Sequence, residues 1–428
     1  MKISGDEYVV RPGIPDDIAV LAAMNEGLHP YPGVGPWTRD LFERHPFVDF
    51  RDFVVAESRT ERRIAASLVA INQQWTLGGT SVPAVQIELV GSDPRDRGHN
   101  LTGRMLDAVH QRCRTMGPAL QLISGIPYFY RRFGYEYAVR PGDSIDVAAA
   151  VLQDHHCHSE LDFFVRPAVS ADAPALAGLD RSAVPADVLR CHRDETSWVY
   201  ELSGRRKDSL PSVEVAVITD RLGAIAGYVV NSPRIGSDGA LKVFAAECVN
   251  DDVWAGARAV MLRYLADAGA AAARRTGSQF TALRMLMPDG HQLMGMLPPV
   301  AVHRAEPWYA RSGDLGALLK WCLPALAARW REHGWPRSVL VLDTYHEVIR
   351  LHFAAGRLHD IDVVARDALR SAADVVVPPG ALLQLILGYA TPSELLQIWP
   401  DMSVPEPTTL DFLAIGFPRL SASVWSVI

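Results

Sequence analysis

Two segments about 155 residues apart begin in the same way, and this repeat constrains the fold more than any other feature. Each carries the triplet Val-Arg-Pro, at residues 10–12 and again at residues 165–167. Each triplet closes a strand-like stretch and precedes a stretch with the apolar spacing of a helix. A repeat of this length indicates a duplicated domain. Since 428 residues suffice for about three domains, we expect two related domains and a third of another kind.

Strand-like and helix-like segments alternate along most of the chain, which predicts a mixed α/β, or α+β, fold. We expect domains at residues 1–150, 160–305 and 306–428, the last combining amphipathic helices with short strands. Residues 154–158, with the sequence DHHCH, contain zinc-ligand side chains. Structural zinc sites space their ligands in separated pairs, so we favour an interdomain linker there and predict no metal.

Composition excludes several classes of protein. Acidic residues outnumber basic ones by 49 to 42, so a basic nucleic-acid-binding surface is not expected. The five cysteines are dispersed, which indicates a reducing compartment. The first residues lack the apolar stretch of a signal peptide, and no segment reaches the ~20 apolar residues of a membrane helix. We therefore expect a cytoplasmic protein with no membrane or nucleic-acid partner.

Residues 87–106, IELVGSDPRDRGHNLTGRML, read as a strand, a polar turn and the start of a helix. This order directs backbone N–H groups and a helix N-terminus at one point, which favours an anion. Arg95 and Arg97 add fixed positive charge, and a pyrophosphate is the expected occupant. An ordinary capped turn between a strand and a helix has the same local pattern, so both interpretations stay open here.

A dense aromatic segment follows at residues 124–139, SGIPYFYRRFGYEYAV. Alone, it would indicate core or lid packing. In this order, however, the two segments resemble the coenzyme A loop and the later tyrosine motif of the GNAT superfamily of N-acetyltransferases. The family pattern Arg/Gln-x-x-Gly-x-Gly/Ala corresponds to residues 95–100, where Asn100 replaces the usual Gly or Ala. Asn is among the residues that best tolerate a positive φ after Gly.

The resemblance implies coenzyme A binding by one set of residues in the strand, the loop and the later motif. These are Glu88, Leu89, Val90, Arg95, Asp96, Arg97, Gly98, His99, Asn100, Leu101, Ser124 and Gly125.

The layout of the whole chain resembles the enhanced intracellular survival family, in which two GNAT domains precede a sterol-carrier-protein-like domain. The segment in the second domain that corresponds to the loop, residues 249–253, lacks both glycines and the arginine. We therefore expect no coenzyme A there. The family forms hexamers, so the resemblance also implies a homo-oligomer.

Catalytic roles follow from the same resemblance. Tyr130 matches the tyrosine that protonates the leaving thiolate, and a backbone N–H of residues 88–90 would hold the thioester carbonyl. The family's base is a terminal carboxylate, a role that falls to Ile428. The apolar ending, residues 423–428, fits a docked terminus, although a packed last strand would look the same. Glu88 is the rival base.

The sequence thus predicts an N-acetyltransferase that uses acetyl-CoA on an amine of a small cationic molecule or a lysine side chain. The alternative is a non-catalytic ligand-binding or regulatory protein on the same scaffold, and transfer of a longer acyl group is a third possibility. One set of residues near the N-terminus fits an amine pocket, but an amphipathic helix over residues 37–44 with packed aromatics is the favoured interpretation. The set comprises Glu26, Trp37, Asp40, Phe42, Glu43, Phe47 and Phe50.

Overall fold

The computed structural model describes residues 7–117, 120–153, 162–182, 187–295, 297–368 and 373–428. The run at residues 154–158 lies outside these ranges. Within them, no group of three or more His, Cys, Asp or Glu side chains could hold a metal ion. Nor does any helix in the described ranges have the length and apolarity needed to cross a membrane. The described cysteines are all buried and free: Cys113, Cys191, Cys248 and Cys322.

The elements of the first part of the chain carry the candidate site. In chain order they are β1 (Tyr8–Pro12), α1 (Ile18–Leu28), α2 (Val34–Glu43), β2 (Phe53–Ser58), β3 (Arg63–Leu77), β4 (Thr80–Ser92), α3 (Leu101–Met116), β5 (Leu120–Ile123), β6 (Glu136–Val139), β7 (Ser144–Ala148) and α4 (Ala149–Gln153).

The middle part repeats this succession of strands and helices. It contains β8 (Phe163–Pro167), α5 (Ala173–Ser182), β9 (Val188–Cys191), α6 (Glu195–Val199), β10 (Glu214–Asp220), β11 (Ile225–Ile235), β12 (Ala240–Cys248), α7 (Asp251–Thr276), β13 (Ala282–Met285) and β14 (Ala301–His303).

The last part begins with a strand and is richer in helices. It contains β15 (Trp308–Arg311), α8 (Leu315–Arg329), β16 (Val339–Asp343), β17 (Glu347–Ala354), β18 (Arg357–Ala365), β19 (Val375–Val376), α9 (Pro379–Ile386), α10 (Pro392–Ile398), α11 (Pro407–Gly416) and β20 (Ser421–Ser423).

The strands of the described ranges form three sheets. The first has the order β1-β2-β3-β4-β5-β15-β6, with β9 paired to β3 and β20 paired to β9. The second has the order β14-β7-β13-β12-β11-β10-β8, and the third is β18-β17-β16-β19. The mixed α/β fold expected from the sequence is therefore confirmed.

The first two sheets confirm the duplication, since β1 to β5 and the run β8, β10, β11, β12, β13 have the same order. The two openings also share an ion pair at the same spacing. Arg11 contacts Asp17 at 2.8 Å, and Arg166 contacts Asp172 at 2.7 Å. In each copy the aspartate also accepts a backbone N–H three residues before it, which fixes the start of the following helix.

Two strands cross the domain boundaries expected from the sequence. β7 comes from the first part of the chain but pairs with β13 and β14 in the second sheet. β15 follows the second sheet in sequence but inserts between β5 and β6 of the first. The two sheets thus exchange one strand each. Pairing with strands distant in sequence leaves no local sequence signal, which is why the boundaries drawn from the sequence do not follow the sheets.

The third sheet does not have a core of its own. One continuous cluster of buried apolar side chains joins Leu342 and Ile361 of the third sheet to Leu319 of α8 and to Trp75 and Leu122 of the first sheet. The last part of the chain is therefore packed firmly against the first sheet rather than tethered to it.

Candidate active site

The site begins where β4 separates from its neighbour. Parallel pairing with β5 ends at Ile87, opposite Ile123, whereas pairing with β3 continues to Ser92. A bulge interrupts the β3 pairing in between, and there Leu89 has a φ of 54°. A leucine in this region is strained, and such strain is found where function requires it. The backbone of residues 88–90 consequently borders a gap between β4 and β5.

This gap opens into a cavity of about 850 Å³, within the size range of small-molecule sites. Most of the site residues expected from the sequence lie in its wall: Glu88, Leu89, Val90, Asp96, Arg97, Gly98, Asn100, Leu101, Ser124, Gly125 and Tyr130. Three expected residues, Arg95, His99 and Ile428, lie outside the wall.

Two aspartates shape the loop between β4 and α3. Asp93 accepts the backbone N–H of Arg95 at 3.0 Å and the Arg95 guanidinium at 2.7 Å. Asp96, only 4% exposed, accepts the Tyr8 hydroxyl and the Arg63 guanidinium, both at 2.7 Å. Arg95 and Asp96 therefore have structural partners within the protein, whatever they do toward a ligand.

The turn into α3 depends on two residues with positive φ, Gly98 at 91° and Asn100 at 53°. The conformation presumed for Asn100 is confirmed. Its side chain lies over Gly103, where an added Cβ would be 2.6 Å from the Asn100 Oδ1. The first turn of α3, a helix of 16 residues, thereby presents its backbone N–H groups at the cavity wall.

Two exposed arginines line the cavity, Arg97 and Arg132. Neither forms an ion pair with a described residue. Arg132 lies over the rings of Phe129 and Phe133, at 5.8 and 5.3 Å from their centroids. The neighbouring Arg131 instead contacts Glu136 at 2.6 Å. Sequence reasoning missed Arg132, because nothing local shows which arginine of the pair faces the cavity.

Tyr130 and Glu88 both line the cavity and interact electrostatically. Tyr130 is 4% exposed, and burial together with the Glu88 charge raises the pKa of its hydroxyl. Burial raises the pKa of Glu88 to about 7, although the Gln86 amide donates a hydrogen bond to it at 2.6 Å. Gly125, at a φ of 125°, leaves room beside the tyrosine, since a Cβ there would be 3.9 Å from the hydroxyl.

Tyr130 is positioned by the exchanged strand. Its ring packs edge-on against Tyr309 of β15, with centroids 5.6 Å apart, and against Phe129 at 5.1 Å. Tyr309 in turn stacks on Tyr137 at 4.0 Å. The aromatic segment thus serves packing and places one hydroxyl in the cavity wall.

Ile428 packs against the rest of the protein, as the apolar ending indicated, but it does not line the cavity. Its side chain packs on the apolar cluster that contains Leu89 and Trp37, and its oxygen accepts a hydrogen bond from Arg205. The preceding carbonyl, that of Val427, accepts the Gln73 amide at 2.9 Å.

The acidic residues proposed for an amine pocket are engaged elsewhere. Glu26 accepts the backbone N–H groups of Gly33 and Gly35. Asp40 and Glu43 both pair with Arg206. Trp37 alone of that set lines the cavity.

The corresponding place in the second sheet is nearly filled. Beyond β12 and β13 lies a cavity of about 30 Å³, comparable to the volume of one water molecule. Arg193 and Trp425 line it, stacked with the guanidinium 3.4 Å from the ring centroid. The side chain of Asn250 caps α7 by accepting the Val253 N–H at 2.9 Å. The second sheet therefore leaves far less space at this position than the first, and the absence of coenzyme A binding there stays a prediction.

Comparison with known proteins agrees with this geometry. Residues 23–138 match the model of the acetyltransferase (GNAT) domain. No curated protein matches the chain. Among solved structures, a GCN5-related N-acetyltransferase from Kribbella flavida is 17% identical, with a TM-score of 0.68 over 100% of both chains. One from Anabaena variabilis is 15% identical, with a TM-score of 0.66 over 98% of this chain and 99% of that chain.

Eis1 from Mycobacterium abscessus is 15% identical, with a TM-score of 0.61 over 96% of both chains. Its name is that of the enhanced intracellular survival family. At such identities the likeness concerns the fold, and it extends over nearly the whole chain. Residues 23–138 therefore match the GNAT acetyltransferase domain, and the chain as a whole shares the fold of these three solved structures.

Proposed function

We propose that this protein is an N-acetyltransferase that moves the acetyl group of acetyl-CoA to an amine. The observation that carries the proposal is the single cavity in which an anion-binding loop, a splayed strand and the pair Glu88 and Tyr130 meet. The GNAT match supports acyl transfer in general. That the donor is acetyl-CoA and the acceptor an amine is what we propose in addition.

The loop fits the diphosphate of coenzyme A. Gly98 and Asn100 turn the backbone so that the first residues of α3 line the cavity, where Arg97 adds a charge that no described residue pairs with. Helix N-termini and arginines bind phosphates by the same charge-assisted hydrogen bonds. When bound, coenzyme A supplies an activated acetyl thioester.

The chain's own residues then move the protons. An alkylammonium with a pKa of ~10 must lose a proton before it can attack. Glu88 is suited to accept it, because a pKa near 7 makes an effective base at neutral pH. In this proposal a backbone N–H at the bulge, within residues 88–90, donates to the oxyanion.

Tyr130 stays protonated at neutral pH, since its pKa is raised, and so can give its proton to the departing sulfur. The new C–N bond forms as the C–S bond breaks. The ammonium loses two protons in all. Glu88 takes the first and passes it to solvent. The nitrogen loses the second as the C–S bond breaks, and that proton replaces the one that Tyr130 gives to the thiolate, so one proton is released overall. Glu88 replaces Ile428 as the base in this proposal because Glu88 lies in the cavity wall and Ile428 does not.

Two measurements on the purified protein test the proposal. Calorimetry with acetyl-CoA should show saturable binding, and release of free thiol should require an added amine. Absence of acetyl-CoA binding would favour the alternative of a non-catalytic protein on this scaffold. Parallel assays with propionyl-CoA and octanoyl-CoA decide the acyl length.

A further inference from the structure

The cavity offers an acceptor very little negative charge. In its described lining, the carboxylates are those of Glu88 and Asp96. Asp96 is already shared between Tyr8 and Arg63, and both contacts lie at 2.7 Å. Glu88 alone is left, and the proposed chemistry requires it as a base. An acceptor with several ammonium groups would therefore bury charges without partners, which is costly.

The wall at the α1–α2 end of the cavity is instead apolar and aromatic. It contains Leu28, Tyr31, Val34 and Trp37, with Leu210 from a different part of the chain. His29 also lies in it, and burial lowers the pKa of its imidazole, which favours the neutral form. Trp37 is 7% exposed, and its indole Nε1 has no hydrogen-bond partner in the described protein. A flat apolar body would pack well on such a wall.

Leu210 reaches this wall from the segment between α6 and β10, in the part of the chain that builds the second sheet. Its backbone N–H donates to the Gly33 carbonyl at 3.0 Å. Gly33 has a φ of 92°, and a Cβ on it would collide with the Asp208 carbonyl. An ion pair between Arg206 of this segment and Asp40 of α2 adds a second contact. The segment is thus held firmly against the α1–α2 turn.

We propose that the acceptor is a monoamine carrying an apolar, aromatic body, and that Leu210 is a specificity-determining residue for it. The proposal rests on the acetyltransferase function and narrows its substrate class. It also assigns a role to the middle part of the chain, whose own cavity is nearly filled. Leu210 from that part completes the acceptor wall of the first cavity.

The first experiment compares acceptors with the full-length protein. Thiol release from acetyl-CoA is measured with phenethylamine and tyramine, and with spermidine and an amino sugar. We expect kcat/KM for the arylalkylamines to exceed that for the polycations by about tenfold or more, the range of apolar-pocket discrimination. Turnover with the polycations preferred would overturn this inference and leave the acetyltransferase function standing. No turnover with any amine would overturn the function itself, and this inference with it.

The second experiment uses a matched pair of variants. Leu210→Glu places a charge on the wall, whereas Leu222→Glu makes the same change at a residue that is 94% exposed and outside the cavity. We expect Leu210→Glu to lower kcat/KM for phenethylamine about tenfold or more, with an unchanged Kd for acetyl-CoA, while Leu222→Glu matches the parent. Leu210→Ala, which removes contact without adding charge, should show a smaller loss in the same direction. Parent-like kinetics in both Leu210 variants would overturn the role of this residue.

Discussion

At the scale of single residues, the two arginines of the loop have different surroundings. Arg97 lines the cavity without an ion-pair partner in the described chain, whereas Arg95 is held by Asp93. We expect Arg97→Ala to weaken acetyl-CoA binding by about 1–3 kcal/mol, the range of a charge-assisted contact. Arg95→Ala is the control and should change binding by less than about 0.5 kcal/mol. Calorimetry measures both, and equal losses would contradict the assignment.

Glu88 should set the acid limb of the pH profile. Its pKa of about 7 means that it loses its function as a base as the pH falls below neutrality. We expect kcat/KM of the parent protein to fall about tenfold per pH unit in that range. Glu88→Gln preserves the shape of the side chain but removes its carboxylate. It should therefore abolish the acid limb of the pH profile and lower turnover by about 10²–10⁴-fold. A parent-like rate and pH profile in Glu88→Gln would exclude this base.

The same pKa affects stability with a definite sign. Because the folded value, about 7, lies above the ordinary 4.5, the folded protein binds more protons than the unfolded chain between these pH values. The contribution of Glu88 to the free energy of unfolding is therefore lost as the pH rises from about 4.5 to 7. Denaturant unfolding at several pH values should show a flatter dependence in Glu88→Gln than in the parent.

Tyr130→Phe separates chemistry from packing. The ring contacts with Tyr309 and Phe129 remain, and the only group lost is the hydroxyl. We expect turnover to fall by about 10²–10⁴, with the melting temperature nearly unchanged. An unaltered rate would leave the tyrosine with a packing role alone.

At the scale of elements, the turn between β4 and α3 depends on its backbone conformation more than on its side chains. Asn100→Gly keeps a φ of 53° accessible and should leave acetyl-CoA affinity intact or improved. Asn100→Ala puts a Cβ into the same strained conformation and should cost about 1–2 kcal/mol of stability. Calorimetry and thermal unfolding give the two readouts. A large loss of affinity in Asn100→Gly would show that the amide itself contacts the ligand.

At the scale of the whole molecule, the last residues connect the first two sheets. β20 pairs with β9, which pairs with β3, and Trp425 packs on Arg193 beside the second cavity. If Glu88 is the base, a few residues added after Ile428 should leave kcat largely unchanged as long as the protein folds. An inactive extended protein, together with an active Glu88→Gln, would return the role of base to Ile428. Circular dichroism of the extended protein verifies the fold.

Some features of this protein can be predicted from residues that are neighbours in the sequence. The positive φ of Asn100, the helix after it and the repeated opening with Arg11 and Arg166 depend on local backbone preferences and on contacts a few residues apart. Residues 95–100 and 124–139 indicate a GNAT fold through their resemblance to the two motifs of that family. The homo-oligomer and the cytoplasmic location remain predictions of the sequence.

Other features required the folded chain. The exchange of β7 and β15 and the position of Leu210 in the cavity wall arise from contacts between segments far apart in sequence. The raised pKa of Glu88 likewise comes from burial by such segments. Local sequence patterns determine which conformations a segment favours. Only tertiary packing decides which strands pair, which distant charges form ion pairs and which carboxylate is desolvated enough to have a raised pKa.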